Sequence, residues 1–221
     1  PFGATVTNAW GLVRAPWNTN KTPFVSRHNA TYGVALTDAP SCADHAAVLA
    51  ETSWAAFGAD VQYSAHGTVH SLVGGAWGAD VYGALAALAY RPLPAKNVAV
   101  EAFATQKNLW RSGQLACPSF CADDTPEAEC KCTCPNLEQW REQGVERLIL
   151  QSEHPQFFDE RYVTDRRGGD VSHALLALLC NDDDALNPRI GDALESASPL
   201  DISFWPTHPT VDRLYHWRRI N

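Results

Sequence analysis

Several features that would define a class of protein are missing from this sequence. No methionine occurs among its 221 residues, and no apolar run approaches the roughly 18 to 20 residues that a membrane-spanning helix needs. No cluster of lysine or arginine is present, and the net charge is −8 at pH 7. These absences argue against a membrane span and against nucleic acid as a partner. Small molecules or other proteins are the partners that the composition favours.

The composition is that of a chain that folds around one sizeable core. Hydrophobic residues make up 45% of the sequence, and at this length a single domain spanning residues 1–221 is expected. The first residue is proline, and the start has no basic stretch followed by an apolar run. The sequence therefore predicts a processed or excised piece of a longer product.

The seven cysteines are crowded. Five of them lie between Cys117 and Cys134, a density that is unusual for a protein of a reducing cytosol. Thiolates at this spacing can converge on zinc or a soft metal, but disulfides are the favoured interpretation, with one cysteine left over. The tripeptides that start at Asn20 and Asn29 match the acceptor pattern for N-glycosylation. Together these features predict a secreted or lumenal protein.

Helical periodicity is the main signal of secondary structure. Apolar residues recur at helical spacing from Asp44 to Phe57, and Ser41 or Asp44 can cap the start of that helix. A second helix is expected from about Gln62 to Val73, stopped by the glycines at positions 74 and 75. The two segments predict neighbouring helices in the first third of the chain.

The remaining parts of the chain carry weaker patterns. Residues 1–40, rich in proline, asparagine, threonine and glycine, predict extended and looped structure. Residues 81–90 predict a short helix ended by the prolines at positions 92 and 94. The segment from about 95 to 198 holds the cysteine cluster and is interpreted as a long, loop-rich insertion. The C-terminal piece is expected to become helical after Pro209.

Two histidines at helical spacing are the first chemical signal. His66 and His70 are four positions apart, so on a helix their imidazoles lie on one face, about one turn from each other. This spacing can chelate one metal ion. Most such pairs are solvent-facing or hydrogen-bonded, however, so the pair alone is weak evidence for a metal site.

The surrounding sequence raises the significance of this pair. Residues 64–75 read SAHGTVHSLVGG, and residues 201–214 read DISFWPTHPTVDRL. Together the two segments resemble the second-copper signature of the tyrosinase, catechol oxidase and molluscan haemocyanin family. In that family an H-x-x-x-H helix followed by a V-G-G-like turn supplies two ligands, and a later D-P-x-F-x-x-H-H-x-x-x-D-R segment supplies the third. Residues 11–18, GLVRAPWN, also look like family sequence, with lower specificity.

The resemblance implies that His66, His70 and His208 ligate copper in a mainly α, helical-bundle type-3 copper domain, of which this chain is a part. Three neutral imidazoles suit both copper(I) and copper(II) and leave coordination positions open. In the family two such coppers, about 3.5 to 4 Å apart, bind dioxygen together. The implied function is a copper-dependent polyphenol oxidase that converts o-diphenols, and in some members monophenols, to o-quinones. Phenolic compounds and dioxygen are the implied partners.

The resemblance also suggests roles for residues around the ligands. Asp212 follows His208 by four positions, so its carboxylate can return to the same helix face and orient a ligand ring; an exposed ion pair is the alternative. Phe204 and Trp205 are expected to line an apolar pocket that orients the phenol. Gly67 stands where many monophenol-hydroxylating members carry asparagine, which favours diphenol oxidation.

The sequence also departs from the family pattern. The family's double histidine is Thr207-His208 here, which keeps the ligand and removes its neighbour. The first-copper histidines of the family lie upstream of the second set, where this chain has only His28 and His45, interpreted as ordinary loop and cap residues. The prediction is therefore half of a binuclear site. A haemocyanin-like oxygen-binding domain and a degenerate, non-catalytic structural domain are the alternatives.

Overall fold

The mainly α class predicted from the sequence agrees with the structure. The computed structural model describes residues 6–7, 13–88, 91–155, 158, 163–183 and 186–221. No helix in these ranges is both long and apolar enough to cross a membrane. In chain order the helices are α1 (Cys42–Ala47), α2 (Trp54–Tyr63), α3 (Ala65–Gly74), α4 (Val81–Ala87), α5 (Pro92–Val100), α6 (Ala102–Arg111), α7 (Leu137–Gln143), α8 (Glu146–Glu153), α9 (Ser172–Leu179) and α10 (Phe204–Ile220).

Short strands tie distant parts of the chain together. They are β1 (Val6–Thr7), β2 (Val13–Arg14), β3 (Ala30–Thr31), β4 (Val34–Ala35), β5 (Ala76–Trp77) and β6 (Arg189–Ile190). β1 pairs with β2, and the other four form a sheet in the order β4-β3-β5-β6. β3 and β5 are parallel, with Thr31 opposite Ala76, and Ala76 lies opposite Ile190 of antiparallel β6. The sheet thus joins the N-terminal segment to the end of α3 and to the chain that leads into α10.

The helix predicted from Asp44 to Phe57 is in fact two helices. α1 starts after Ser41, whose hydroxyl accepts a hydrogen bond from the Asp44 backbone N–H, while the Asp44 carboxylate accepts from the Ser41 N–H. α2 starts after Ser53, whose hydroxyl accepts from the backbone N–H of Ala56. Because Ser53 satisfies an N–H that would otherwise lack a partner, a new helix begins there. The prediction of one continuous helix is wrong for this reason.

α3 begins later than predicted and ends where predicted. Ser64, with φ −80° and ψ −115°, lies outside the helical region and separates α2 from α3, so the helix starts at Ala65 rather than near Gln62. The glycine stop is confirmed, since Gly75 has a φ of +67°. A Cβ at Gly75 would also overlap the backbone carbonyl of His28. Glycine is therefore required there by both backbone conformation and space.

Pro92 begins a helix rather than ending one. α4 agrees with the short helix predicted over residues 81–90, of which positions 89 and 90 lie outside the described residues. α5 then starts at Pro92. The first residues of a helix have no intrahelical partner for their N–H, so a proline there loses nothing. Pro92 therefore marks the start of α5 rather than the end of α4, because it lies in the first turn of α5.

Residues 95–198, predicted to be a loop-rich insertion, supply a large part of the hydrophobic core. They contain most of α5 and all of α6, α7, α8 and α9. Leu109, Leu150, Leu175 and Leu176 are fully buried and belong to the core cluster that also includes residues of the N-terminal segment. The described residues of 112–136, 154–171 and 180–198 carry no α-helix, so the description as loop-rich holds for these parts of the segment and is wrong for the helices between them.

Three disulfides hold the loop between α6 and α7. The preference for disulfides over a zinc site is confirmed, because all five cysteines of this loop are paired, one of them with Cys180 after α9. Cys42, the seventh, is free and exposed on α1. Disulfides of this kind suit an oxidising compartment. The pairs are Cys117–Cys132, Cys121–Cys130 and Cys134–Cys180.

The two predicted glycosylation acceptors differ in exposure. Asn20 is only 3% exposed, and its side-chain amide donates a hydrogen bond to the hydroxyl of Ser26 at 2.6 Å. A glycan has no room on Asn20, so that half of the prediction is wrong for the folded chain. Asn29 is exposed and remains available for modification.

The last helix begins earlier than predicted. α10 starts at Phe204, five residues before Pro209, which was expected to mark its start. Pro206 lies in the first turn, where a missing N–H costs no intrahelical bond, whereas Pro209 removes one bond from the helix interior. The 17-residue helix continues through it, with no buried residue along its length. His208 is therefore presented from a helix rather than from a loop.

The Cys134–Cys180 disulfide is expected to stabilise the fold more than the Cys121–Cys130 disulfide does. Their sequence separations are 46 and 9, and loop-closure entropy gives roughly 4 and roughly 2.5 kcal/mol. Chemical denaturation of Cys134→Ala/Cys180→Ala and of Cys121→Ala/Cys130→Ala measures the two losses. Equal losses, or a greater loss for the shorter loop, would contradict this ranking.

Candidate metal centre

α3 and α10 bring three imidazole rings together. The Nε2 atoms of His66 and His70 are 2.9 Å apart, and each lies 3.3 Å from Nε2 of His208. The three rings meet edge to face. In the described part of the chain, this is the one group of three or more histidine, cysteine or acidic side chains whose potential ligand atoms lie within 4.8 Å of one another. We call these three residues the histidine triad.

The triangle of nitrogens has the dimensions of a metal site. A point equidistant from the three Nε2 atoms lies roughly 1.8 Å from each of them, and metal–imidazole bonds are about 2.0 to 2.1 Å long. His66, His70 and His208 would therefore hold a metal ion through these three atoms. The residues present thus fit a metal ion.

Backbone carbonyls set the tautomers of two of the rings. Nδ1 of His66 lies 3.0 Å from the carbonyl oxygen of Gln62, near the end of α2. Nδ1 of His70 makes a short hydrogen bond to the carbonyl oxygen of Ala193. A carbonyl can only accept, so Nδ1 donates its proton in both rings. The lone pair of each ring is consequently on Nε2, the atom that faces the centre of the triad.

Stacking holds the third ring. Phe204 lies one turn before His208 on α10, and the two rings are stacked with centroids 3.6 Å apart and planes at 24°. Phe204, which was predicted to line a substrate pocket, thus packs on a ring of the triad. Burial, and then the nearby His66 and His70, lower the pKa of His208 to about 4. The ring is therefore neutral at pH 7 and has a lone pair for a metal ion.

His66 is biased towards the same neutral form. Burial lowers its pKa, and the nearby His70 and His45 act in the same direction, against the hydrogen bond to Gln62 that raises it. His45, on α1, thus belongs to the electrostatic surroundings of the triad although its ring is not among the three that converge. A site whose histidines resist protonation favours a metal ion over bound protons.

An ion pair fixes the start of the helix that carries His208. Nε and Nη2 of Arg27 donate to the two carboxylate oxygens of Asp201 at 2.7 and 2.5 Å. Asp201 also accepts from the backbone N–H and the hydroxyl of Ser203, just before α10. Burial raises the pKa of Asp201, but the hydrogen bonds from Arg27 and Ser203 outweigh it and bring the pKa to about 2. The N-terminal segment is thereby anchored to α10.

Two of the predicted site residues lie away from the ligand atoms. Oδ1 of Asp212 lies 3.5 Å from Nε2 of His216, one turn further along α10, and the Asp212 side chain is 70% exposed. The carboxylate contacts His216 in this structure, rather than a ring of the triad or the arginine that was considered as its partner from the sequence. Trp205 is 63% exposed and contacts the edge of Phe204. Its indole forms part of an open aromatic surface beside the triad.

The space next to the triad is narrow on the inner side. A cavity of about 10 Å³ there holds no more than one water molecule. Gly67 follows His66 on α3, and a Cβ there would lie 3.2 Å from the carbonyl oxygen of Gln62, a tight contact. The cavity is lined by Val69, His70, Ala193, Ser198, Ser203, Phe204 and Thr207.

The other histidines that the structure describes lie outside the triad. His28 stacks on Trp77 with ring centroids 5.4 Å apart, and His173 pairs with Glu146 at the surface. His154 is buried, with Nδ1 3.1 Å from the Thr105 hydroxyl. Within the described ranges there is thus no second group of three histidines to hold a second ion.

Sequence reasoning missed the groups that orient the triad. Two of them are the backbone carbonyls of Gln62 and Ala193, which have no side-chain signature. A third is the Arg27–Asp201 pair, whose members are 174 positions apart. No local pattern could link them. The motif identified the three histidines from short segments of sequence, whereas the groups that orient their rings leave no local pattern.

Comparison with known proteins leaves the site to be interpreted from its own geometry. No family model, no curated protein and no solved structure matches the chain. The resemblance to the type-3 copper family therefore rests on the residues of the two segments described above. The chemistry has to follow from the arrangement of the triad and its surroundings.

In the metal-free protein, the free energy of unfolding is expected to fall as the pH falls from about 6.5 to about 4. The pKa of His208 is about 4 in the folded chain and about 6.5 when unperturbed. Between these values the unfolded chain binds more protons, so stability rises with pH. The lowered pKa of His66 acts in the same direction.

Urea denaturation of chelator-treated protein at pH 7 and pH 4.5 measures this dependence. His208→Ala should reduce the difference in unfolding free energy between the two pH values. His216→Ala, eight residues further along the same helix, is the control and should leave the difference as in the wild type. The same pH dependence in all three proteins would show that His208 titrates normally.

Proposed function

We propose that the histidine triad binds copper and that this chain carries one half of a binuclear copper oxidase, which uses dioxygen to oxidise o-diphenols to o-quinones. The observation that supports this most directly is the convergence of three Nε2 atoms within 3.3 Å, from the two segments that resemble the family's second-copper signature. Monophenols are the second class of substrate. Gly67, in place of the family's asparagine, favours diphenols.

The donor set favours copper over metals that prefer oxygen or sulfur. Three neutral imidazoles supply no negative charge, so they do not over-stabilise the oxidised ion. Two buried carboxylates on the segments around the triad are neutralised by arginines, Asp201 by Arg27 and Asp192 by Arg14. The paired cysteines are engaged in disulfides. Bound in such a set, copper supplies redox chemistry with dioxygen as the oxidant.

The protein's own groups prepare the site for this chemistry. The carbonyls of Gln62 and Ala193 keep a proton on Nδ1 of two rings, so that Nε2 remains the donor atom. Phe204 keeps the third ring in place by stacking. The narrow inner cavity restricts the phenol to the outer side, where the Trp205 indole offers an aromatic surface. Two o-diphenols are oxidised to two o-quinones while one dioxygen is reduced to two waters.

A second copper would need ligands beyond the triad, and the surface around the triad is suited to receive them. α10 has no buried residue although it carries several large apolar side chains. Apolar surface of this extent is uncommon on a helix that faces water only. The second group of ligands would pack on this surface. The exposed aromatic side chains on α2 and α10 are Trp54, Tyr63, Trp205, Tyr215 and Trp217.

A haemocyanin-like oxygen-binding domain or a non-catalytic scaffold is the alternative. The described residues contain one three-histidine group and not two, which favours the scaffold, because oxygen binding in the family needs two coppers just as oxidation does. A single ion cannot share dioxygen with a neighbour in the way the family's reaction requires. Catalysis and metal binding therefore have to be measured separately.

A secreted or lumenal location fits this function. Three disulfides persist in oxidising compartments, and Asn29 is an exposed acceptor for N-glycosylation. Copper enzymes that use dioxygen work without difficulty in such surroundings. We therefore propose this location together with the copper site.

Copper binding is expected to depend on His208 and not on its neighbour on the same helix. Loss of one of three imidazoles leaves too few donors, so His208→Ala should weaken Cu²⁺ affinity by about 100-fold or more. His216→Ala, whose ring pairs with Asp212 at the surface, should bind as the wild type does. Competition titration with a chromophoric chelator measures both. Equal affinities for all three proteins would place the metal elsewhere.

Protein from its native source is expected to contain two coppers per functional unit and to oxidise catechol. Chelation should abolish turnover, and Cu²⁺ but not Zn²⁺ should restore it, because zinc has no redox chemistry. Copper analysis and the absorbance of the quinone product provide the two measurements. Copper without turnover would support the oxygen-binding alternative, and absence of copper would support the scaffold.

A further inference from the structure

One backbone carbonyl next to the triad is held in place by an ion pair, by hydrogen bonds and by close backbone packing. The carbonyl is that of Ala193, which accepts from Nδ1 of His70. It belongs to a single 3-10 turn, Asp192–Leu194, that is buried at all three residues. The turn lies between the chain after β6 and the C-terminal half of α3. The position of this turn therefore decides where the acceptor for His70 is found.

A buried ion pair fixes the first residue of the turn. Nε of Arg14 donates to Oδ1 of Asp192 at 2.7 Å, and Nη2 donates to Oδ2 at 2.9 Å. Both side chains are at most 1% exposed. Oδ2 also accepts from the backbone N–H and the hydroxyl of Ser26, at 2.8 and 3.1 Å. The carboxylate can shift only if this network is broken.

Arg14 has no spare donor that would allow another arrangement. Its remaining N–H groups donate to the carbonyl oxygens of Asn20 and Thr22, both at 2.7 Å, and of Phe24 at 3.1 Å. With the two bonds to Asp192, all five donors of the guanidinium are used. Because the guanidinium is planar and all five of its N–H groups are bonded, it has one orientation. It therefore fixes the direction of the Asp192 carboxylate as well as its position.

Close backbone packing holds the turn against α3. The backbone N–H of Gly191 donates to the carbonyl oxygen of Gly75 at 2.9 Å. A Cβ on Gly191 would overlap the carbonyl of Gly74, and a Cβ on Gly74 would overlap the backbone of Leu194. The two glycines therefore permit an approach that any side chain would prevent. This contact lies one turn of α3 beyond His70.

We propose that Arg14 and Asp192 are positioning residues for the histidine triad. They fix the turn whose Ala193 carbonyl holds the proton of His70 on Nδ1, and they thereby aim the Nε2 lone pair at the metal. The inference deepens the proposed function and rests on it, because it gives the buried pair a role in metal binding. Neither residue touches the metal or a substrate.

The buried pair of Arg14 and Asp192 is expected to fix the arrangement of the groups around it more than to stabilise the fold. Removing two charges from water costs much of what their attraction returns, so such pairs often stabilise a fold little compared with apolar residues of similar size. What a fully bonded pair does provide is a single arrangement of the groups around it. Contacts that orient a ligand histidine commonly contribute 10- to 100-fold to metal affinity. The pair is well placed to have this effect through the Ala193 carbonyl.

The test compares three substitutions in the full chain. Asp192→Asn keeps the size of the side chain and removes the charge that Arg14 requires. Gly191→Ala leaves both charges and pushes the turn away from α3, and the φ of −69° at this position suits alanine. Gly58→Ala is the matched control, because a Cβ there meets nothing within 4 Å. Circular dichroism and thermal unfolding establish that each variant folds, and either of the first two suffices for the test.

Two measurements are made on each protein. Competition titration gives the Cu²⁺ affinity, and the electron paramagnetic resonance spectrum of the bound Cu²⁺ reports the arrangement of its nitrogen ligands. Asp192→Asn and Gly191→Ala should each bind Cu²⁺ about 10- to 100-fold more weakly, with a changed spectrum. Gly58→Ala should match the wild type in both. Wild-type affinity and spectrum in both turn variants would overturn the inference.

A third measurement separates this inference from the proposed function. Nitrogen-15 NMR of the metal-free protein distinguishes the two neutral tautomers of His70. The wild type and Gly58→Ala should hold the proton on Nδ1, and the turn variants should show a mixture or the other tautomer. A wild type with that tautomer but no copper affinity would reject the copper proposal and keep the positioning role. The same tautomer in every variant would reject the positioning role.

Discussion

The buried pair of Arg14 and Asp192 joins two ends of the chain that are 178 positions apart, and the histidine triad depends on that junction. The guanidinium gathers the N-terminal segment into a loop by binding three of its carbonyls. The carboxylate presents the turn that packs on α3. Thirteen residues later, Arg27 repeats the arrangement with Asp201 and anchors α10. One extended segment without helices thus fixes both helices that carry the triad.

The electrostatics of the site follow from this arrangement. Asp192 and Asp201 are paired with arginines, and the group of converging ligand atoms includes no carboxylate, so the imidazoles face one another without a compensating negative charge. Burial and mutual proximity then hold His66 and His208 in their neutral forms. Two carbonyls and one phenylalanine ring supply the orientation. Such a centre offers a metal ion the lone pairs of neutral nitrogen atoms and no negative charge. This donor set suits a metal with two accessible oxidation states.

The molecule has a packed part, whose apolar side chains form the core, and an open part, whose apolar side chains are exposed. Residues 95–198 contribute helices and disulfides to a closed core, to which the sheet and the N-terminal segment also belong. α10 and the exposed face of α2 remain uncovered, with Arg218 lying over the rings of Trp54 and Phe57 as their main link. The triad lies in this open part. Its chemistry is thus exposed to whatever packs against, or diffuses to, the α10 surface.

The sequence by itself determined the mainly helical class, the use of cysteines in disulfides and the three histidines, because helix period, cysteine density and ligand spacing are local properties. It did not reveal that Phe204 stacks on His208 or that the helices among residues 95–198 belong to the core. Only the tertiary structure decided which groups orient His66, His70 and His208. Those groups are carbonyls, an aromatic ring and ion pairs between residues more than 170 positions apart. Their proximity arises from packing of the whole chain, which no short window of sequence records.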